Sequence, residues 1–169
     1  MKIVWRVTFT ILRIWMGLQW LEAGSEKIKN PAWVGDQVPA GITGFLKGAA
    51  AKATGAHPAV QKWYADFLNG FAIPNAKIFS YMVAFGEALV GIALILGIFT
   101  TFAALMGAFM NLNFMLAGST STNPILYTGS MIILFWSANA TFFALDHVIL
   151  PWLKERVQGI LKKAPATAA

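Results

Sequence analysis

With 169 residues, 57% of them apolar and 12% charged, and a mean hydropathy of +0.62, the chain lies outside the usual composition of water-soluble domains and has room for one domain. The absence of cysteine excludes a disulfide relay, a thiolate nucleophile and an iron–sulfur cluster held by this chain. The net charge of +6 sits mainly at the flanks of apolar runs, which reads as membrane-flanking charge and not as a nucleic-acid surface.

Four stretches are long and apolar enough for a hydrocarbon core of about 30 Å. They run from Ile3 to Leu21, Ile78 to Ile98, Thr101 to Gly118 and Ile125 to Leu145. The predicted fold class is therefore all-α: a single integral membrane four-helix bundle, with a long helical extracytoplasmic loop (24–77) after the first span and a cytoplasmic tail (147–169). The first stretch has the outline of a secretory signal ending at Ala23 and Gly24, but Arg13 inside it argues for a retained span. In the loop a short helix is expected from Ile42 to Ala53, ended by Gly55. After Pro58, the residues Val60, Trp63, Tyr64, Phe67, Leu68 and Phe71 share one helical face, which suits a helix lying at the membrane surface or folded over the bundle as a lid. The only break between the second and third spans is Gly97 to Thr101, so these two form a tight antiparallel hairpin. Ser119 to Pro124 joins the last two spans, with a side-chain cap and then Pro at the first helical position. An even number of spans puts both termini on one side, and Lys2, Arg6, Lys154, Arg156, Lys162 and Lys163 make that side the cytoplasm.

Ionised groups at mid-membrane depth are costly unless paired, so Arg13 and Glu87 are expected to meet as a bidentate ion pair, and Arg6 and Asp146 as a second pair at the inner ends of their spans. The first pair either fixes helix registry alone or lends Glu87 a proton-carrying role. On the third span Asn111 and Asn113 face different ways, one inside the bundle and one toward a neighbour. Trp136, Phe114 and the nearby methionines suggest a flat apolar slot for a quinone ring, with Asn111 or Asn139 donating to its carbonyl; core packing explains the same stripe. At the outer mouth Gln19, Glu22 and Glu26 line up ahead of Lys27 and Lys29. Glu22 and Lys27 are candidate substrate-binding residues, and the lysines with the Ser119 to Asn123 helix start suit a small anion. His57 and His147 fall on opposite sides of the membrane, so no haem or metal site is expected.

The residues Leu12 to Gly17, Trp20 to Gly24 and Lys27, then Gly86 to Gly91, Leu94 to Gly97, Thr100 to Ala104, and Leu145 with Asp146, resemble the DoxX/DoxD family of small four-helix membrane proteins over nearly the whole chain. The resemblance implies a bacterial or archaeal cytoplasmic-membrane protein like the membrane subunit of a thiosulfate:quinone oxidoreductase, with quinone as cofactor. Expected partners are the lipid bilayer, a second redox subunit and further copies of the chain, with no nucleic acid. Two other readings stand beside it: a non-catalytic scaffold or assembly factor for a redox-stress enzyme, and a small transporter gated by Arg13 and Glu87 along a continuous wet path.

Overall fold

The computed structural model describes residues 2–163, with side chains through residue 158. These residues form eight α-helices and one π-helical turn, with no strand among them, as the all-α expectation required. The first helix, α1 (Lys2–Lys29), runs past the expected end at Leu21 because Glu22, Glu26 and Lys27 are all good helix formers. Its first breaker is Pro31, which pushes the residue before it out of the α region. Lys27 and Lys29 in the last turn complement the helix dipole. Two loop helices follow, α2 (Ala40–Ala51) and α3 (Lys62–Phe67), the latter continuing into a π-helical turn at Leu68–Ala72.

Next comes α4 (Ala76–Leu96), which stops at Gly97 in a left-handed conformation (φ 69°), so that the Ile98 N–H reaches the Ala93 carbonyl at 2.9 Å. The expected hairpin follows, and α5 (Thr100–Leu116) starts after Phe99, itself left-handed at φ 49°. The next helix is α6 (Asn123–Phe135); its N-cap residue Thr122 makes no side-chain cap bond, and Asn123 donates instead to the Ser119 carbonyl at 3.0 Å. The fourth apolar stretch is not one helix to Leu145. Helical geometry ends at Trp136 (φ −112°, ψ 37°), and a four-residue α7 (Ser137–Ala140) and an irregular stretch lead to α8 (Asp146–Lys163). The rest of the expected tail, 164–169, lies outside the described residues.

Helix α1 packs antiparallel along α4, α5 packs on α6, and α1 also meets α6 and α7. The α1–α4 contact is made by backbone on backbone. A Cβ on Gly24 would stand 2.4 Å from the Ala88 nitrogen, and one on Gly91 would stand 2.5 Å from the Leu21 nitrogen. Met16, Trp20, Leu94, Ala104 and Ile133 fill the core between these helices. A second cluster, with Ile42, Leu46, Val60, Tyr64, Leu68 and Ala76, folds the loop helices down as a lid. The aromatic face of α3 is thereby divided: Val60, Tyr64 and Leu68 are buried, while Trp63, Phe67 and Phe71 stay exposed. Among the described residues one helix, α4, is long and apolar enough to cross a bilayer; α5 and α6 are apolar but span 17 and 13 residues.

Glycines inside helices cost about 1 kcal/mol relative to alanine, unless a close approach requires them. On α2, Cβ atoms added at the exposed Gly44 and Gly48 meet nothing within 4 Å. Gly44→Ala and Gly48→Ala are therefore expected to raise the thermal midpoint in detergent, whereas Gly24→Ala and Gly91→Ala lower it. Circular-dichroism melts read both signs.

Candidate functional site

Between the lid, the C-terminal part of α1, the middle of α4, the end of α5 and the start of α6 lies a cavity of about 470 Å³. Its walls are Trp20, Trp33, Phe45, Phe114 and Leu126; its polar groups include Gln19, Glu22, Glu26, Ser119, Ser121, Thr122 and Asn123. Glu87, 2% exposed, reaches the cavity from α4, and its Oε2 accepts from Lys27 Nζ at 2.7 Å. Lys27 also lies 5.4 Å from the centre of the Trp33 ring, a cation–π contact. The lid is tied down over this space by hydrogen bonds from three side chains. Tyr64 donates to the Asn113 carbonyl at 3.1 Å, Ser80 to the Trp33 carbonyl at 2.6 Å and Lys52 to the Gly118 carbonyl at 3.0 Å. Burial pushes the Tyr64 phenol above its ordinary range, which keeps its donor proton in place. Of the two amides expected to face different ways, Asn111 is the one inside the bundle, and Asn113 turns to the chain's own lid, its amide oxygen 3.2 Å from the Tyr64 hydroxyl.

The expected Arg13–Glu87 pair is not formed. The glycine contacts set Gly24 beside Ala88 and Gly17 beside Gly91 and Ile95, so Glu87 lies opposite the end of α1 that carries Lys27. Arg13 lies opposite the far end of α4, about 17 Å away along the axis at roughly 1.5 Å per residue. There its guanidinium is buried and donates to four backbone carbonyls: Leu94, Ile95 (3.1 Å), Ala140 (3.1 Å) and Phe143 (3.1 Å). Two belong to the last turn of α4, whose carbonyls have no helical partners, and two to the broken segment after α6. A rigid fork of five N–H donors suits this task where an ammonium would not.

Nor do Arg6 and Asp146 pair. Asp146 accepts from the N–H groups of Phe99 (2.6 Å) and Thr100 (2.9 Å), capping α5 and holding the strained Phe99 turn. Arg6 instead stacks over the Phe142 ring, 3.7 Å from its centre. The residues sketched as one ring slot also separate: Phe114 lines the cavity, whereas Trp136 is half exposed at the other end of the core, stacked on Phe9 with ring centres 5.9 Å apart. Asn139 lies beside it in α7 and Asn111 is fully buried in α5.

The cavity brings together Glu22, Lys27 and Glu87 with the Ser119 to Asn123 turn, but it is poorly suited to an anion. Three carboxylates face one lysine that is already paired, and the backbone N–H groups of Asn123, Ile125 and Leu126 are taken by Thr120 and Thr122 carbonyls. The transporter reading needs both Arg13 and Glu87 on one wet path; Glu87 lines this cavity and Arg13 does not. Trp20, Trp33 and Phe45 were not evident as cavity walls, since the latter two reach it through the lid. Lys27 as the partner of Glu87 was legible in principle from the spacing of Gly17, Gly24 and Gly91.

Fold and site together define a small helical protein with apolar outer walls and a lidded polar cavity. The chain belongs to the DoxX family and is a membrane protein of that family: the family model, described as DoxX, matches residues 8–119, two-thirds of the chain. The match covers α1 to α5 and ends before α6, so the likeness at Leu145 and Asp146 lies outside it. No curated protein and no solved structure gives a significant match.

Removing one partner of a buried ion pair strands the other charge, at a cost of about 3 kcal/mol. Lys27→Met should therefore destabilise the protein by about that amount, and adding Glu87→Gln should recover most of it. A double-mutant cycle of thermal midpoints measures the coupling.

Proposed function

We propose that this DoxX-family protein is a membrane-embedded subunit of a quinone-linked redox system, with the lidded cavity as the quinone site and Glu87 as the group that exchanges protons there. The observation that carries this reading is the Lys27–Glu87 pair at the floor of an aromatic-walled cavity of about 470 Å³. Small-molecule sites commonly enclose about 300–1,000 Å³, mostly apolar, with a few placed polar groups. Trp20, Trp33, Phe45 and Phe114 offer flat walls for a ring, and Gln19, Ser119 and Asn123 a polar rim. When bound, a quinone supplies the two-electron acceptor. The chain's own residues hold the ring, exclude bulk water beneath the lid and bring protons. Lys27, 23% exposed, links the buried carboxylate to the solvent side and gives it a proton-exchange neighbour.

Without a thiol in the chain, no cysteine relays electrons, so the donor is a second redox subunit or a reductant such as thiosulfate. Three carboxylates in the cavity favour a donor outside it over an anion within it. We assign four spans to α1, α4, α5 and the α6–α7 segment, in a bacterial or archaeal cytoplasmic membrane, with the lid outside and both termini cytoplasmic. Exposed Ile11, Leu18, Met82, Leu89, Phe102 and Phe109 give these helices outer walls suited to lipid. Irregular backbone after α6 is tolerable at membrane depth because protein donors, chiefly Arg13, satisfy it.

A second reading, a non-catalytic scaffold for a redox-stress enzyme, is favoured by one observation: Trp63, Phe67 and Phe71 form an exposed aromatic stripe on the lid. The two readings separate on Glu87→Gln. Under the quinone reading, thiosulfate-driven reduction of a soluble quinone analogue by membranes carrying the protein falls by about 100-fold or more, the usual scale of general acid–base catalysis, with analogue binding retained. Full activity in that variant would remove the proton role, and absence of any activity in wild-type membranes would favour the scaffold.

A further inference from the structure

We propose that Trp20 and Asn111 form a clasp for a carbonyl oxygen at the inner end of the cavity, taking a neutral, ring-borne carbonyl compound. Trp20 lines the cavity yet is 2% exposed, and its indole N–H has no hydrogen-bond partner. Asn111 is fully buried, and neither its amide nitrogen nor its amide oxygen has a partner. Polar groups left unpaired in a core are costly, so these three atoms on two neighbouring helices call for an explanation.

Their placement follows from α5. A Cβ on Gly107 would lie 3.2 Å from the Trp20 Nε1, so the indole N–H is seated in the notch left by the missing side chain. Asn111 is one turn farther toward the lid, on the same buried stripe of α5. Phe114, nearly another turn along, lines the cavity. Helical side chains lean toward the N-terminus of their helix, so the Asn111 side chain leans toward the Gly107 turn against which the indole sits. Both donors thus lie at the Gly107–Asn111 level of α5, beneath a cavity whose walls include Trp20 and Phe114 but not Asn111 itself.

A carbonyl oxygen has two lone pairs and accepts from both N–H groups at once. The ligand is neutral, because Glu22, Glu26 and Glu87 face a single lysine and repel an anion. It carries a ring, because Trp33, Phe45 and Phe114 provide apolar walls beside the clasp. This inference rests on the quinone reading and adds to it the residues that orient the ring.

The test uses the full chain in nanodiscs, with menadione and methylnaphthalene as probes that share a fused ring but differ in the carbonyls. Wild-type protein is expected to bind menadione more tightly than the hydrocarbon. Asn111→Leu and Trp20→Phe each weaken menadione roughly 3- to 10-fold, the worth of one hydrogen bond, and leave methylnaphthalene unchanged. Asn111→Leu should fold well, since an apolar group of similar shape replaces an unpaired amide. Equal menadione affinity in the wild type and both variants would overturn the clasp, with water alone serving these donors, and would leave the quinone reading standing. Failure of wild-type protein to bind menadione would overturn both.

Discussion

The antiparallel register of α1 on α4 is the constraint on which the rest of the structure depends. Gly24 on Ala88 and Gly91 on Leu21 bring the two backbones so close that no neighbouring register is available without steric conflict. That register puts Lys27 beside Glu87 at the lid end and Arg13 beside the last turn of α4 at the other. Two ionised groups that a soluble protein would expose are thereby buried with partners, each answering a different need.

At the far end the need is for donors. The fourth apolar segment leaves helical geometry at Trp136, and in an apolar setting each freed carbonyl costs several kcal/mol if it stays unpaired. Arg13 answers the Ala140 and Phe143 carbonyls and the end of α4 with one side chain, while Asp146 supplies the acceptor that the start of α5 lacks. Arg13 and Asp146 therefore tie α1, α4, α5 and α7 together at the end remote from the cavity. Gly97 is required there as well, since a Cβ on it would stand 2.8 Å from the Arg13 guanidinium and 2.5 Å from the Ala144 Cβ.

Hydropathy was sufficient to locate α4, α5 and the start of α6, because an apolar run bounded by glycine or proline has few other solutions. The end of α1 was less legible: its charged last turns look like loop by hydropathy, yet nothing before Pro31 breaks a helix. The fourth segment was misread because no proline or glycine marks its interruption near Trp136; the donor that satisfies the freed backbone is a distant arginine, 127 residues away for Ala140. The same limit governs the site. Glu22 and Lys27 were recognisable as a polar cluster at the end of α1, but their meeting with Glu87 depends on helix register, and Trp33 and Phe45 reach the cavity only because the lid folds over it. Tyr64 illustrates how a stripe divides: one helix face held six apolar residues, and packing on α2, with the Tyr64 hydrogen bond to α5, buried only those nearest the bundle.

The cavity, the paired carboxylate on its floor and the unpaired donors below it follow from that one register, so the register is the claim to test first. The chain has no cysteine, which makes it a clean background for cross-linking. Replacing Lys27 and Glu87 together by cysteine removes both charges and leaves no stranded partner. A short bifunctional thiol reagent should then join these two positions in membranes and fail to join cysteines placed at Arg13 and Glu87. Cross-linking of the Arg13–Glu87 pair instead would contradict the register, and with it the site.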